Sequence, residues 1–518
     1  MTPEDELLMV FSEWRRKVDD LAVWSGGEER LHDLLRIAVR PRAELARYGA
    51  EIADFPWESL VDRLIQWHYS HPLGTGEYSQ AAVSEALFAA LDSTRIEPMN
   101  AGIRAGAFKV KKTGGAFRVS YRWDVSPEVA DMYLERQASP GPAPGPTEAE
   151  LQWAAGQPRE KLNAFTPPTE LLQAATRRNA IAVDAWRAAH QDPPLPDDFP
   201  LGDGLTVGDM AQVLAGLMAV VELGELAHAR VRRPGTTLFH APREALVAYL
   251  TRACEGLSAV TADIAIRRLT AAPGRSLRTS LLVPNGPVIT VLPLTMFPRA
   301  IDPVALRTAA TDPDRYGPIG KRQGERAKAW GLWLGQIPRV KVAERLKMHG
   351  QDRRTVAGDL DLLAVDPDIG KGTIFELKWP IDALTLPETL KTDSNIMDAC
   401  RQLGKNRRML RDEEAMVKMP PGWPAFNDVQ WTWAVGTPQQ LYTGPLPEPE
   451  MFATSFRYVK SLGTPGTIET LINALRKPDL PRLGEHYTIG KLTMHLGRYV
   501  IHYDTIHALD KPWRPQPT

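Results

Sequence analysis

The residues best placed to do chemistry lie in GDLDLLAVDPDIGKGTIFELKWP, residues 358–380. Leu360 to Val365 reads as a short apolar strand carrying Asp361, and Thr373 to Trp379 as a second strand carrying Glu376 and Lys378. Pro367-Asp368-Ile369-Gly370 supplies the turn between them. Antiparallel pairing about that turn sets Val365 opposite Gly372, Leu363 opposite Ile374 and Asp361 opposite Glu376. Period-two alternation then sends Asp361, Glu376 and Lys378 to one face of the sheet. Two carboxylates directly opposite one another repel unless a cation lies between them. A hard divalent ion, Mg²⁺ or Mn²⁺, suits a pair of oxygen ligands. Lys378 could orient the attacking water or stabilise charge developing on a phosphoryl group. Asp359 shares the face by alternation, as a supporting residue or an alternative ligand.

Two helices are needed to hold these strands. GKRQGERAKAWGLWLGQ, before them, reads as a helix with Glu325 on its polar side, and SNIMDACRQLGKNRRMLRDE, after them, carries Gln402 and Asn406 at helical spacing. Asp361, followed by Glu376-Leu377-Lys378 on the next strand, resembles the PD-(D/E)xK nuclease superfamily, the restriction-endonuclease-like fold, over about residues 315–440. The resemblance implies catalytic roles for Glu325, Asp361, Glu376 and Lys378, with Asp361 and Glu376 as ligands of Mg²⁺, for which Mn²⁺ could substitute. It places a helix glutamine at Gln402, followed by Asn406 where some relatives have tyrosine. The activity implied is a Mg²⁺-dependent endodeoxyribonuclease in bacterial defence, restriction or repair. A plainer reading stays open: the acids and Lys378 could form a surface salt-bridge ladder, and Glu325 could pair with Lys321 or Lys328 on its own helix.

Local charge favours a nucleic-acid partner, DNA being the expected one. Lys321, Arg322, Arg326, Lys328, Arg339, Lys341, Arg345, Lys347, Arg353 and Arg354 precede the motif, opposed only by Glu325, Glu344 and Asp352. Arg401, Lys405, Arg407, Arg408 and Arg411 follow it. Of these, Arg322, Arg326, Lys341, Arg353, Arg354, Lys405, Arg407 and Arg408 are the candidate phosphate contacts. The whole chain carries a net charge of −1, which excludes a globally basic coat. A catalytically inactive nucleic-acid-binding or scaffold subunit of a larger defence or repair complex is the competing function.

The chain has 518 residues, enough for several cores. Cys254 and Cys400 are too few for a disulfide framework, a zinc ribbon or an iron–sulfur cluster, and point to a reducing compartment. MTPEDELLMVF lacks the basic start of a signal peptide, and the apolar run Val213 to Val221 is too short for a membrane span. A cytoplasmic protein with no membrane partner is expected. The expected fold is a multidomain α+β chain: a mostly helical N-terminal half with β-hairpins, then an α/β restriction-endonuclease-like domain with a central mixed sheet. The expected segments are a helical domain with a basic β-hairpin over 1–136, a proline-rich linker over 137–150, a mainly helical middle domain over 151–305 and the nuclease-like domain over 306–518. The N-terminal half is left for recognition, regulation or protein partners. Its hairpin, turning at Thr113-Gly114-Gly115 and carrying Lys109, Lys111, Lys112, Arg118 and Arg122, reads as solvated rather than as a DNA-contacting wing. His68 and His71, and the C-terminal His495, His502 and His507, read as structural.

Overall fold

A computed structural model describes residues 1–45, 57–138, 144–157, 167–190, 194–228, 238–272, 281–292, 301–310, 317, 320, 324–383, 385–442, 444–448 and 450–515. In chain order the first elements are α1 (Pro3–Asp19), α2 (Glu29–Leu45), α3 (Trp57–Ser70), α4 (Gln80–Arg104), β1 (Phe108–Thr113), β2 (Ala116–Tyr121) and α5 (Ser126–Gln137). Next come α6 (Glu148–Ala155), α7 (Thr169–His190), β3 (Pro200–Gly202), β4 (Leu205–Thr206), α8 (Val207–His228), β5 (Phe239–Ala241), α9 (Arg243–Ala253), α10 (Ala259–Leu269), β6 (Leu282–Asn285), β7 (Val288–Val291) and α11 (Ile301–Ala310). The C-terminal part holds α12 (Lys328–Leu334), β8 (Lys341–Gly350), β9 (Val356–Asp366), β10 (Lys371–Leu377), α13 (Leu386–Arg411), β11 (Ala415–Val417), β12 (Gln430–Thr437), β13 (Met451–Ser455), α14 (Phe456–Ser461), α15 (Ile468–Arg476), β14 (Tyr487–Leu496) and β15 (Tyr499–Ala508). The chain is a multidomain α+β protein.

Two compact units divide it: residues 1–9, 98–138 and 320–518 form one, and 10–97 with 139–319 the other. They cut across the segments expected from the sequence. The hairpin and α5 belong with the C-terminal strands, while the N-terminal helices belong with residues 139–319. Of the expected linker, residues 139–143 lie outside the described residues.

In the largely helical unit, apolar residues at helical spacing on α2 (Leu31, Leu34, Leu35), α3 (Leu60, Val61, Leu64) and α4 (Val83, Ala86) share a core with Ala271, Val283 and Leu292. The fully buried Arg30 donates to the carbonyls of Gly26, His68, His71 and Pro72. Its Nε also donates to His68 Nδ1 at 3.1 Å. Burial, with the Arg30 charge beside it, pushes His68 down to about 4, so His68 acts as a structural acceptor. α8 is long and apolar enough to cross a membrane, but 67% of its apolar window is buried, in contact with α7, α9, α10 and α11.

In the other unit, β1 and β2 form the expected hairpin, its turn narrowed to Gly114-Gly115 because Thr113 pairs with Ala116. β2 then pairs in parallel with β15, giving a four-stranded sheet of order β1-β2-β15-β14. α5 is tied to the same C-terminal segment: Tyr133 Oη donates to the carbonyls of His486 at 2.6 Å and Leu509 at 2.9 Å. The larger sheet has the order β11-β8-β9-β10-β12-β13. Its β11, β8, β9 and β10 pair antiparallel, whereas β10, β12 and β13 run parallel. One core packs Trp330 and Trp333 of α12, Phe456 of α14 and Leu471 of α15 with Leu362, Phe375 and Ala434. A second packs Ile396, Cys400 and Leu403 of α13 with Leu363, Ile374 and Val435. Opposite strand parities feed the two cores, so the sheet is covered on both faces.

Candidate active site

β9 and β10 pair as the sequence dictates, with Val365 opposite Gly372 and Leu363 opposite Ile374. The turn closes through Gly370, whose φ of +62° suits a residue without Cβ. The last paired rung is Leu362–Phe375, and the next is the row of Asp361 and Glu376. There the backbone ladder gives way to a side chain: the Leu377 amide donates to Asp361 Oδ2 at 2.8 Å. Lys378 Nζ donates to Glu376 Oε1 at 2.8 Å. On the other side, β10 stays paired with β12 through this row, Glu376 facing Val435.

Burial dominates the electrostatics of the pair. It raises the affinity of Glu376 for a proton, and the Asp361 charge raises it further against the opposing pull of Lys378. Asp361 is raised too, by burial first, with the Leu377 amide, Lys378 and Arg345 pulling the other way. Glu376 is 3% exposed and a third of Lys378 is open to solvent. Asp359, more exposed, pairs with Lys347 at 3.3 Å.

Strict alternation is not how these side chains converge. Asp361 lines a cavity of about 190 Å³ with Gly324, Ala327, Lys328, Glu344, Arg345, Leu362 and Leu377. Lys378 lines a separate cavity of about 330 Å³ with Trp379, Asn395, Asp398 and Gln402. The expected single flat face is therefore corrected: Glu376 binds the ammonium of one cavity and feels the carboxylate of the other.

The helix expected before the strands is shorter than its pattern. Gly324–Ala327 is a 3₁₀ turn, and α12 begins at Lys328. Glu325 and Arg326 sit in that turn, their side chains outside the described residues, as is all of Arg322. Gly324, Ala327 and Lys328 all line the Asp361 cavity, so the turn itself borders the site. After the strands, α13 forms as one helix. Its buried Asn406 donates Nδ2 to the Asp359 carbonyl at 3.2 Å, while Gln402 is exposed beside Lys378.

The basic residues divide once acids distant in sequence are folded against them. Arg407 pairs with Glu450, and Arg408 with Glu448 at 2.8 Å, so these two cations are largely spent. Lys341 donates to the Gly422 carbonyl at 2.7 Å. Arg353 and Arg354 are exposed in the β8–β9 turn, Lys405 is exposed on α13, and none of the three has an ion pair among the described residues.

Sequence reasoning missed Glu344 and Arg345 as neighbours of Asp361, counting them only as part of a charged run. β8 brings them there by pairing antiparallel with β9, Glu344 facing Leu362. Gly331 of α12 permits the approach, since a Cβ there would lie 2.6 Å from Glu344 Oε1. Arg345 has φ +53° in mid-strand, a conformation that costs a residue with a Cβ about 1–2 kcal/mol.

Among the described residues no group of three or more His, Cys, Asp or Glu is gathered as a ready-made metal site. The donor chemistry of the Asp361–Glu376 pair still fits a hard divalent cation: one half-buried and one buried carboxylate whose repulsion Lys378 only partly relieves. No protein-family model, no curated protein and no solved structure matches the chain.

Proposed function

We propose that the unit formed by residues 1–9, 98–138 and 320–518 is a nuclease of the PD-(D/E)xK type that hydrolyses phosphodiester bonds of nucleic acid, DNA being the expected substrate. The observation that carries this reading is the junction of Asp361, Glu376 and Lys378 where the β9–β10 ladder ends. The mixed sheet between α12 and α13 supports it, as do the exposed cations of the β8–β9 turn. Asp361 and Glu376 would hold Mg²⁺, or Mn²⁺ in its place. When bound, that ion would neutralise charge on the phosphoryl oxygens and acidify water.

The chain's own residues do the remaining work. Lys378, steered by Glu376, orients the attacking water and donates to the charge that develops in the transition state. The Leu377 amide holds Asp361 in place. Glu325, the acid that the resemblance carries over, would assist from the turn before α12. A cytoplasmic enzyme of bacterial defence, restriction or repair is the corresponding biological role, with the helical unit serving recognition, regulation or partner docking.

Nicking of supercoiled plasmid and cutting of single strands, each with Mg²⁺, Mn²⁺ or EDTA, tests the proposal. Cleavage with either metal, abolished by EDTA and by Glu376→Ala, is the expected result. Binding without cleavage under every condition would favour the inactive binding or scaffold subunit instead.

A further inference from the structure

Arg345 sits where β8 and β9 turn over. Leu360 and Leu362 of β9 are both buried and two residues apart, so alternation would put them on one face. Instead Leu360 packs into the core beside α13 and Leu362 into the core beside α12. β8 does the same: Leu346, opposite Leu360, joins the first core, and Val342, opposite Ala364, joins the second. The register is unchanged across the switch, with Leu346 facing Leu360 and Glu344 facing Leu362. No residue is inserted; only the rung between Arg345 and Asp361 is missing, and Arg345 there takes φ +53°. Arg345, Asp361 and Glu376 thus occupy one row across three strands.

The guanidinium in that row has no ion pair among the described residues. Arg345 is exposed, lines the Asp361 cavity, and its side chain makes no hydrogen bond among them. One oxygen of its obvious partner, Asp361, is already taken by the Leu377 amide. A planar fork of donors beside Asp361, yet not collapsed onto it, is suited to the oxygens of a tetrahedral oxyanion, which it can meet two at a time.

We propose that Arg345 is a phosphate-binding residue of this site, donating to a non-bridging oxygen of the nucleic-acid backbone from the point where β8 turns over. The assignment rests on the nuclease reading and names a residue that reading does not use. The full-length protein with Arg345→Ala, Arg345→Lys and Arg345→Gly tests it by two measurements. One is affinity for a labelled DNA duplex in EDTA over a salt series; the other is plasmid cleavage in Mg²⁺.

Arg345→Ala should cut about 100-fold more slowly and reduce the slope of log affinity against log salt by about one. Lysine should restore the salt slope but not the full rate, because it keeps the charge and loses the fork. Glycine, which fits the left-handed backbone, should keep or raise the melting temperature while losing rate and slope as alanine does. That separates ligand binding from folding. A wild-type rate or a wild-type salt slope in Arg345→Ala or Arg345→Gly overturns the assignment. A wild-type protein that binds but never cuts defeats the nuclease reading, and the salt slope then decides Arg345 alone. One that neither binds nor cuts overturns both.

Discussion

The Lys378 ammonium lies 2.8 Å from Glu376 Oε1, and Glu376 is the most buried member of the candidate site. Removing either partner therefore has a different effect. Glu376→Ala deletes a metal carboxylate but leaves the exposed cations, so nucleic-acid affinity should persist while cleavage is lost. Lys378→Met leaves both carboxylates, so metal affinity should be kept or increased while turnover falls. Titration of Mn²⁺ by calorimetry alongside nicking rates checks the contrast. Undiminished cleavage in both variants would place any activity elsewhere in the chain.

Binding should depend on unpaired cations rather than on cation number. Charge reversal at Arg353 and Arg354, exposed in the β8–β9 turn, should weaken duplex binding at ~100 mM salt more than reversal at Arg407 and Arg408. The latter two already face Glu450 and Glu448. Fluorescence anisotropy with the two double variants tests the order; equal losses would mean that the acid partners are displaced on binding.

Asn406 ties α13 to β9 through the Asp359 carbonyl. Asn406→Leu fills similar volume but leaves that carbonyl without its donor, at a cost of about 1–3 kcal/mol. Urea unfolding should show a lower midpoint with an unchanged slope. An unaltered midpoint would mean that water replaces the amide at no cost.

Glu128 of α5 supplies a pH dependence. Burial, reinforced by the Asp393 charge, pushes its carboxyl up to about 7. The folded state then binds a proton more tightly than the unfolded chain, so the native protein is favoured at low pH. This contribution is fully present below the unfolded value near 4.5 and is lost as pH rises to about 7. Glu128→Gln should remove that decline and raise the melting temperature at pH 8. A parallel pH profile in wild type and variant would refute the assignment.

A fragment starting at residue 306 should not fold as the intact unit does. It lacks β2, the parallel partner of β15, and α5, whose Val129, Tyr133 and Leu134 fill the core around Trp330 and Trp513. Coexpression of residues 98–138 with 320–518 should recover soluble protein where 320–518 alone exposes apolar surface to a dye such as ANS. A soluble, cooperatively unfolding 320–518 would show that the hairpin and α5 are dispensable.

What the sequence determined by itself was local. Alternation and a Pro-Asp-Ile-Gly turn set the β9–β10 register, and with it the row shared by Asp361 and Glu376. Helical spacing marked α13, and Thr113-Gly114-Gly115 marked the first hairpin. Tertiary structure decided everything that depends on partners far along the chain. Residues 108–121 look like a solvated hairpin because a strand pattern records only which side is apolar, not which strand will pair with its edge; β15, some 380 residues away, makes that choice. The arginines of α13 look free until residues 448–450 fold against them. Arg345 looks like one charge in a run because no pattern of apolar residues encodes a left-handed φ. Only the pairing of β8 with β9, and the two cores competing for Leu360 and Leu362, turn the strand over there and bring its guanidinium to Asp361.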